Sequence, residues 1–332
     1  MKVLAAMSGG VDSAVAAARA AEAGHEVVGV HMALSKNRDQ TRTGSRGCCT
    51  VEDASDARVA AERIGIPYYV WDLSDDFHDL VVEDFLAEYA AGRTPNPCVR
   101  CNERIKFASL LERATALGFD AVCTGHYASI RADGPGGAPS LHRSRNQAKD
   151  QSYVLAVMGP EAARRSLFPL GEDETKEQVR AEARARGLGV STKPDSYDIC
   201  FVADGDTRGF LERHLGEAPG EVVDIDPASR QVVIGAAELL SRRELVATDV
   251  ISFEPLAPGQ AVHAQIRAHG EAMPGRILEV PEGAAAPGTV GTPDGALRLA
   301  LETPVRGVAP GQTLVLYDGD RVLAAATLER RP

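Results

Sequence analysis

The sequence predicts a doubly wound parallel α/β domain, then a small central segment, then a C-terminal antiparallel β-barrel. Three observations predict it. Short apolar strands alternate with helices through the first third of the chain, a rhythm that requires right-handed crossovers and a parallel sheet. A Gly-Gly turn joins the first strand to the first helix, at the strand end where such sheets bind ligands. From about Val222 onward, brief apolar runs are broken by Pro and Gly, the texture of a small barrel or sandwich.

Lys2–Met7 is an apolar strand, and Asp12–Ala23 an Ala-rich helix stopped by Gly24. Glu26–Met32, rich in Val, returns as a strand, and Glu52–Ile64 is a helix ended by Gly65 with Pro67 beyond. Tyr68–Leu73 reads as a strand, Asp75–Ala91 and Glu103–Leu117 as helices, and Asp120–Thr124 as a strand. Asp133–Ser140, with three Gly and two Pro, is a loop or hairpin tip. Helices are expected near Thr175–Arg186 and Thr207–Leu215. Barrel strands are expected at Val232–Ile234, Val262–Ile266, Arg276–Val280, Leu297–Leu301, Thr313–Leu316 and Val322–Ala326.

At 332 residues the chain exceeds one ordinary core, and 44% hydrophobic with 25% charged residues excludes a wholly disordered chain. Aromatics are only 5%, with Trp71 alone of its kind, which weighs against a sequence-tolerant stacking surface. With 36 basic against 47 acidic residues the net charge is −11, which excludes a bulk basic coat but leaves room for a local basic groove. No apolar run approaches a membrane span, and Met1–Met7 is too short for a signal peptide, so a cytoplasmic location is expected. Six cysteines (48, 49, 98, 101, 123 and 200) then read as buried, reactive or metal-binding thiols rather than a disulfide scaffold.

Ser8-Gly9-Gly10-Val11-Asp12-Ser13 is built for phosphate. Gly9 and Gly10 let the backbone turn tightly, and the free N–H groups of the helix start, with the Ser8 and Ser13 hydroxyls, would hold a pyrophosphate. Asp12 could place Mg²⁺ beside it. Neither a Gly-Lys-Ser/Thr ending nor Gly-x-Gly-x-x-Gly is present. The segment resembles the PP-loop of the ATP pyrophosphatases. Met32, ending the second strand, would then lie near adenine; as a lone Met it also fits ordinary core filling.

Pro97-Cys98-Val99-Arg100-Cys101-Asn102 precedes the Glu103–Leu117 helix, with Asn102 as the expected N-cap. Cys101 would sit just outside a positive helix end, near Arg100, Arg104 and Lys106, in a setting that favours thiolate. Cys200 lies among acidic neighbours. Two thiols in such different settings suit a sulfur donor and acceptor. An iron–sulfur cluster on Cys98, Cys101 and Cys200 is the open alternative. A zinc site from Cys48, Cys49, Cys98 and Cys101 lacks a second spaced Cys pair, and Cys123 inside a strand is a buried thiol.

Ser8–Ser13, Gly92–Asn102, Thr124–Tyr127, Lys149–Tyr153, Asp198–Phe201 and Pro304–Gln312, in this order, resemble the tRNA-specific 2-thiouridylase family over almost the whole chain. The resemblance implies a sulfurtransferase that replaces the C2 oxygen of the tRNA wobble uridine, using ATP, Mg²⁺ and a persulfide from a sulfur-relay partner. It places ATP at Ala6, Met7, Ser8, Gly9, Gly10, Val11, Asp12, Ser13, Met32 and Gly125. Cys101 would be the nucleophile and Cys200 the persulfide carrier. Asn96, Pro97 and Cys98 would face the target base. His126, Lys149, Asp150, Gln151, Arg267, Ala268 and Gln312 would touch tRNA. The implied domains are 1–165 for ATP, with 190–203 returning to it, 166–248 for the central tRNA-binding segment, and 249–332 for the barrel. Arg143 and Arg145 could neutralise phosphates, although each alone fits a solvated surface charge.

Two departures stand out. Many members of that family carry Asp where this chain has Cys98, whose role stays open. After Asp224 the chain passes at once to Ile225–Arg230, so a block of roughly forty residues of the family's central segment is missing, on a coarse alignment. Other functions compatible with the residues are a PP-loop ligase, a homologue that binds ATP or tRNA without turnover, and an enzyme thiolating a small molecule.

Overall fold

The computed structural model describes residues 1–34, 50–195, 199–202, 206–216, 241–282 and 295–329, with backbone alone at 224–226 and 231–233. Cys48, Cys49, Asp198 and the Asp224 junction's flanks lie outside the described residues or side chains.

Strand β1 (Lys2–Ala6), helix α1 (Val11–Glu22), β2 (Glu26–Ala33), α2 (Val51–Ile64) and β3 (Tyr68–Asp72) open the chain as expected. The Asp75–Ala91 expectation becomes α3 (Ser74–Phe77), a π-helical turn at His78–Val82 and α4 (Glu83–Ala90). The next helix runs as α5 (Pro97–Arg100), a π segment at Cys101–Ser109 and α6 (Leu110–Ala116). Strands β4 (Ala121–Cys123), β5 (Ala128–Arg131) and β6 (Ser140–Arg143) follow, then α7 (Ser152–Leu155), α8 (Gly159–Arg164) and β7 (Ser166–Leu167). Helices α9 (Lys176–Ala185) and α10 (Thr207–Leu215) precede a small hairpin, β8 (Asp224–Asp226) with β9 (Gln231–Val233).

The first sheet has the order β3-β2-β1-β4-β7, and every pairing is parallel. The strand order reverses beside β1, so the crevice beyond β1 and β4 is the natural ligand position. Helix α1 is nearly all Ala and Val on its buried face, which lets it pack closely on the sheet and on α9. Val179, Ala183, Leu188 and Val190 share that core with Val3, Ala5 and Val15, so this domain's core takes in residues well past 165. Arg19 of α1 locks the pairing through Asp173 and Glu182.

The barrel consists of β10 (Ser241–Ser252), β11 (Ala261–Gln265), β12 (Met273–Glu279), β13 (Leu297–Arg306), β14 (Thr313–Asp318) and β15 (Arg321–Leu328). It closes because the long β10 pairs with β13 on one side and β15 on the other, bending at an irregularity between Thr248 and Ile251. Alternation on β13 sends Leu297, Leu299 and Leu301 inward. The apolar runs located five of the six strands. Strand β10 escaped because its first third, Ser241-Arg242-Arg243-Glu244, is polar.

The Asp133–Ser140 turn proves to be the tip of the β5–β6 hairpin, which leaves the parallel domain and joins the barrel at β15. The two domains therefore share one core, in which Leu141, Tyr153 and Leu155 meet Phe253, Val315 and Tyr317. Tyr317 is fully buried, and the Arg143 guanidinium stacks 3.8 Å from its ring centroid. Among the described residues no helix is long and apolar enough to cross a membrane.

Candidate active site

The glycine-rich turn after β1 ends at Gly10, the N-cap of α1, which offers no side-chain cap to the helix. Ser13 Oγ donates to the Gly10 carbonyl, and lies 3.2 Å from Ser8 Oγ and 3.1 Å from the Ser8 N–H that donates to it. The helix's first N–H groups are thus left for an anion. Gly9 is required: its φ is +81°, and a Cβ there would come within 2.2 Å of the Asp53 carbonyl. Gly125, after β4, also lies close to α1, where a Cβ would meet the Asp12 carbonyl carbon at 2.6 Å. Ala6, Met7 and Val11 are buried around the turn and shape it from below.

Asp12 is held from two sides. Tyr127 Oη donates to one carboxylate oxygen at 2.8 Å, and the Lys176 ammonium donates to the other. Burial, then the Asp12 charge, push the Tyr127 phenol far above its ordinary range. Lys176, buried at the first position of α9, also reaches Asp195 at 3.1 Å. Asp195 collects Lys149 at 2.8 Å and Arg180 at 2.9 Å as well. Burial would raise the Asp195 carboxyl, but these partners outweigh it and hold it at about 2. Lys176, Asp195 and Arg180 escaped sequence reasoning. The sole local sign was Thr175, whose capping box with Gln178 fixes where Lys176 points.

The cysteine turn differs from expectation. Asn96, not Asn102, caps the helix, its side-chain oxygen accepting from the Cys98 and Val99 N–H groups, with Pro97 in the first turn. Cys98 and Cys101 therefore lie inside one helical turn, and Asn102 is buried with its side-chain oxygen lacking a hydrogen-bond partner. The nearby cations are turned elsewhere. Arg100 pairs with Asp84 and Glu103, Arg104 with Asp84, and Lys106 approaches His126.

Cys101 and Cys200 are half-buried and pack against the same apolar cluster, formed by Leu34, Leu73, Phe77, Val81 and Ile105, as does Met32. Phe201 anchors the Cys200 segment through ring contacts with Phe77, Phe85 and Phe210. Cys98, by contrast, is exposed. No group of three His, Cys, Asp or Glu among the described residues is placed to hold a metal ion. Cys98, Cys101 and Cys200 are thus not grouped as metal ligands among the described residues, and the iron–sulfur alternative finds no support in their arrangement. Cys123 is buried and its thiol is pushed up to about 12.

The remaining residues fall into two settings. His126 is buried between Phe107 and Phe168, with Nδ1 2.7 Å from Thr124 Oγ1, and burial with Lys106 holds it neutral. Asp150 is turned inward, accepting from Arg143, Ser144 N–H and Ser152. Gln151 exchanges hydrogen bonds with the Tyr127 backbone. Arg143 also donates to Gln265, whereas Arg145 is exposed and paired with Glu174. On the barrel, Arg267 donates to the Gly307 carbonyl, Gln265 holds the Ala268 carbonyl, and Gln312 accepts from Ala309 N–H. The loop carrying Gln312 docks on the cysteine turn, with Thr94 N–H donating to the Pro310 carbonyl at 2.9 Å.

Fold and site define an α/β domain of the PP-loop kind, joined through a shared core to a six-stranded barrel and carrying two cysteines on one apolar cluster. A family model described as "tRNA methyl transferase HUP domain" matches residues 1–204, and "Aminomethyltransferase beta-barrel domain" matches residues 242–328. Proteins named tRNA-specific 2-thiouridylase MnmA are 57% identical in Beutenbergia cavernae, over 99% of this chain and 94% of that one, and 54% identical in Kineococcus radiotolerans, over 99% and 98%. The chain belongs to the tRNA-specific 2-thiouridylase family. Among solved structures, a 4-thiouridine synthetase–RNA complex with bound ATP has a TM-score of 0.39 and 17% identity over 61% of this chain and 45% of that one, too remote to bear on function. The alignment with the Beutenbergia protein spans 375 positions against 332 residues here, so more than forty positions lack a counterpart, a deficit of the size expected after Asp224.

Proposed function

We propose that the chain is a tRNA-uridine 2-sulfurtransferase acting on the wobble uridine. One observation carries the reading: Cys101 and Cys200, far apart in sequence, pack against one apolar cluster, as does Met32 near the end of β2. ATP and tRNA are its substrates. The uracil C2 oxygen attacks the α-phosphorus, pyrophosphate leaves into the open end of α1, and the base carries AMP as a leaving group. Cys200 holds sulfur as a persulfide received from a relay donor protein. The Cys101 thiolate attacks the Cys200 Sγ, hydrosulfide departs, and a Cys101–Cys200 disulfide remains. Hydrosulfide adds at C2 and AMP leaves. Alternatively, the persulfide's outer sulfur adds to C2 first, and Cys101 then frees it by the same disulfide.

Asp12 fits Mg²⁺, which takes one or two carboxylates and completes its shell with phosphate oxygens and water. Bound there, the ion would neutralise charge on the departing pyrophosphate. Lys176 must first yield its hold on Asp12, and its ammonium is then available to the phosphates. Asn96, Pro97 and Cys98 line the target-base position, with the Gln312 loop docked beside them. Lys149, Gln151, Arg267 and Ala268 are the tRNA-facing candidates. Asp150 and His126 act from within, by fixing the backbone that presents them.

Cys101→Ser and Cys200→Ser are each expected to abolish 2-thiouridine formation with a persulfide donor, read by nucleoside mass spectrometry. Undiminished thiolation in Cys200→Ser sinks the relay. The shortfall of more than forty positions favours a second reading, a homologue that binds ATP and tRNA without turnover. Restoring this chain to a strain lacking its own thiouridylase separates the two: recovery of 2-thiouridine excludes the second.

A further inference from the structure

Two features of the cysteine turn are unused by the reaction just described. Cys98 and Cys101 are three residues apart on one helical turn, so their side chains share a face. Asn96 fixes that turn by capping it, Val99 is buried beneath it, and Arg100 ties it to Asp84 and Glu103. The two thiols nevertheless differ in access. Cys98 is exposed, whereas Cys101 and Cys200 lie half-buried against Leu34, Phe77 and Ile105. A disulfide between the latter two would be shielded from a bulky reductant, and thiol–disulfide exchange depends on which sulfur can be reached.

We infer that Cys98 is the resolving thiol of this enzyme, transferring the Cys101–Cys200 disulfide onto an exposed Cys98–Cys101 pair that an external dithiol reduces. The inference rests on the proposed function, which generates that disulfide. The Cys98 thiolate, at the helix end where negative charge is favoured, attacks Cys101 Sγ. The Cys101–Cys200 bond breaks, and Cys200 leaves as thiolate, ready to accept another persulfide. A dithiol then attacks Cys98 Sγ, Cys101 leaves as thiolate, and a second attack within the dithiol releases Cys98 as the dithiol becomes a disulfide. Two electrons enter from the dithiol, replacing the two that the protein's thiols gave up to the sulfur delivered to C2. The arrangement resembles a Cys-x-x-Cys redox pair at a helix start, where the first cysteine faces solvent.

The test loads the full-length protein with sulfur from inorganic polysulfide, adds ATP and tRNA without reductant, alkylates, and maps linkages by peptide mass spectrometry. Wild type is expected to carry mainly Cys98–Cys101 with Cys200 alkylated, and Cys98→Ser to carry Cys101–Cys200. With a protein dithiol supplied, the steady-state rate of Cys98→Ser, divided by its own single-turnover rate, is expected to fall about tenfold relative to wild type. Normalising each protein to its own single turnover removes any effect of Cys98 on the target base. Dominance of Cys101–Cys200 in wild type, or an unchanged ratio in the variant, overturns the resolving role alone. Thiolated tRNA with no linkage in either protein overturns the disulfide-forming chemistry beneath it.

Discussion

Helices α1 and α9 begin side by side, joined by the Asp12–Lys176 ion pair, yet close their first turns in opposite ways. In α9 the Thr175 hydroxyl accepts from Gln178 N–H, and the Gln178 side chain accepts from Thr175 N–H. Helix α2 repeats the device with Thr50 and Asp53. In α1, Gly10 supplies no side-chain cap, and the Ser8 and Ser13 hydroxyls lie against one another. A helix start satisfied by its own side chains is structural, whereas one left open beside a glycine turn keeps its donors for a ligand. The helix start proposed to bind phosphate is therefore the least self-sufficient of the three.

Closing α1 should break this contrast most strongly. Gly10→Asp is sterically allowed, since its φ is −96° and the nearest atom to a new Cβ is Ser8 Oγ at 3.5 Å. The carboxylate would cap the helix, a gain of about 0.3 kcal/mol in stability, while occupying and repelling the phosphate position. ATP affinity by calorimetry is expected to fall about a hundredfold, from the loss of two charge-assisted hydrogen bonds. Thermal stability should hold or rise. Unchanged ATP affinity would show that the open end is not the phosphate site.

Lys176→Met should come next, because it leaves Asp12 and Asp195 facing a buried gap. The expected cost is about 2–3 kcal/mol by chemical denaturation, below the range for a fully buried pair because Asp12 is partly exposed. ATP affinity should weaken too. The pH dependence has a defined sign. A carboxyl lowered from 3.8 to about 2 on folding stabilises the protein fully above 3.8, and that contribution drains away as pH falls toward 2. Asp195→Asn should lower the melting temperature at neutral pH and flatten its decline across that acid window. A parallel decline in both proteins would remove Asp195 from the account.

Smaller effects sharpen the contrast from the structural side. Asn96→Ala removes the cap from the cysteine turn and should cost about 1 kcal/mol. Its readout beyond stability is faster alkylation of Cys101, since the turn that holds it half-buried would fray. Gln178→Ala removes one half of the α9 box and should cost about 0.5 kcal/mol with ATP affinity unchanged. A large loss of ATP binding there would mean that α9 is no less functional than α1.

The phosphate turn was legible because its evidence is local: two glycines, two serines and a carboxylate between a strand and a helix, within six residues. The start of the next helix was misplaced by local evidence of equal quality. Asn96 and Asn102 are both good caps, and Pro97 fits a loop as well as a first turn, so burial of Asn102 and Val99 decided between them. The hairpin at Asp133–Ser140 was visible as a turn, but nothing in its residues announces that it crosses to the barrel. That depends on Arg321 pairing with His142 and on Tyr317 fitting beneath Arg143.

By itself, then, the sequence determined the parallel sheet, the glycine turn between β1 and α1, and the barrel's apolar rhythm, all matters settled by short-range pattern. Only the tertiary structure decided that Lys176 reaches Asp12 across 164 positions, that Arg100 and Arg104 both pair with Asp84, and that Cys101 and Cys200 share one apolar wall while Cys98 faces water. Those outcomes depend on how finished elements dock. A charge takes whichever partner packing delivers, and local spacing carries no record of it.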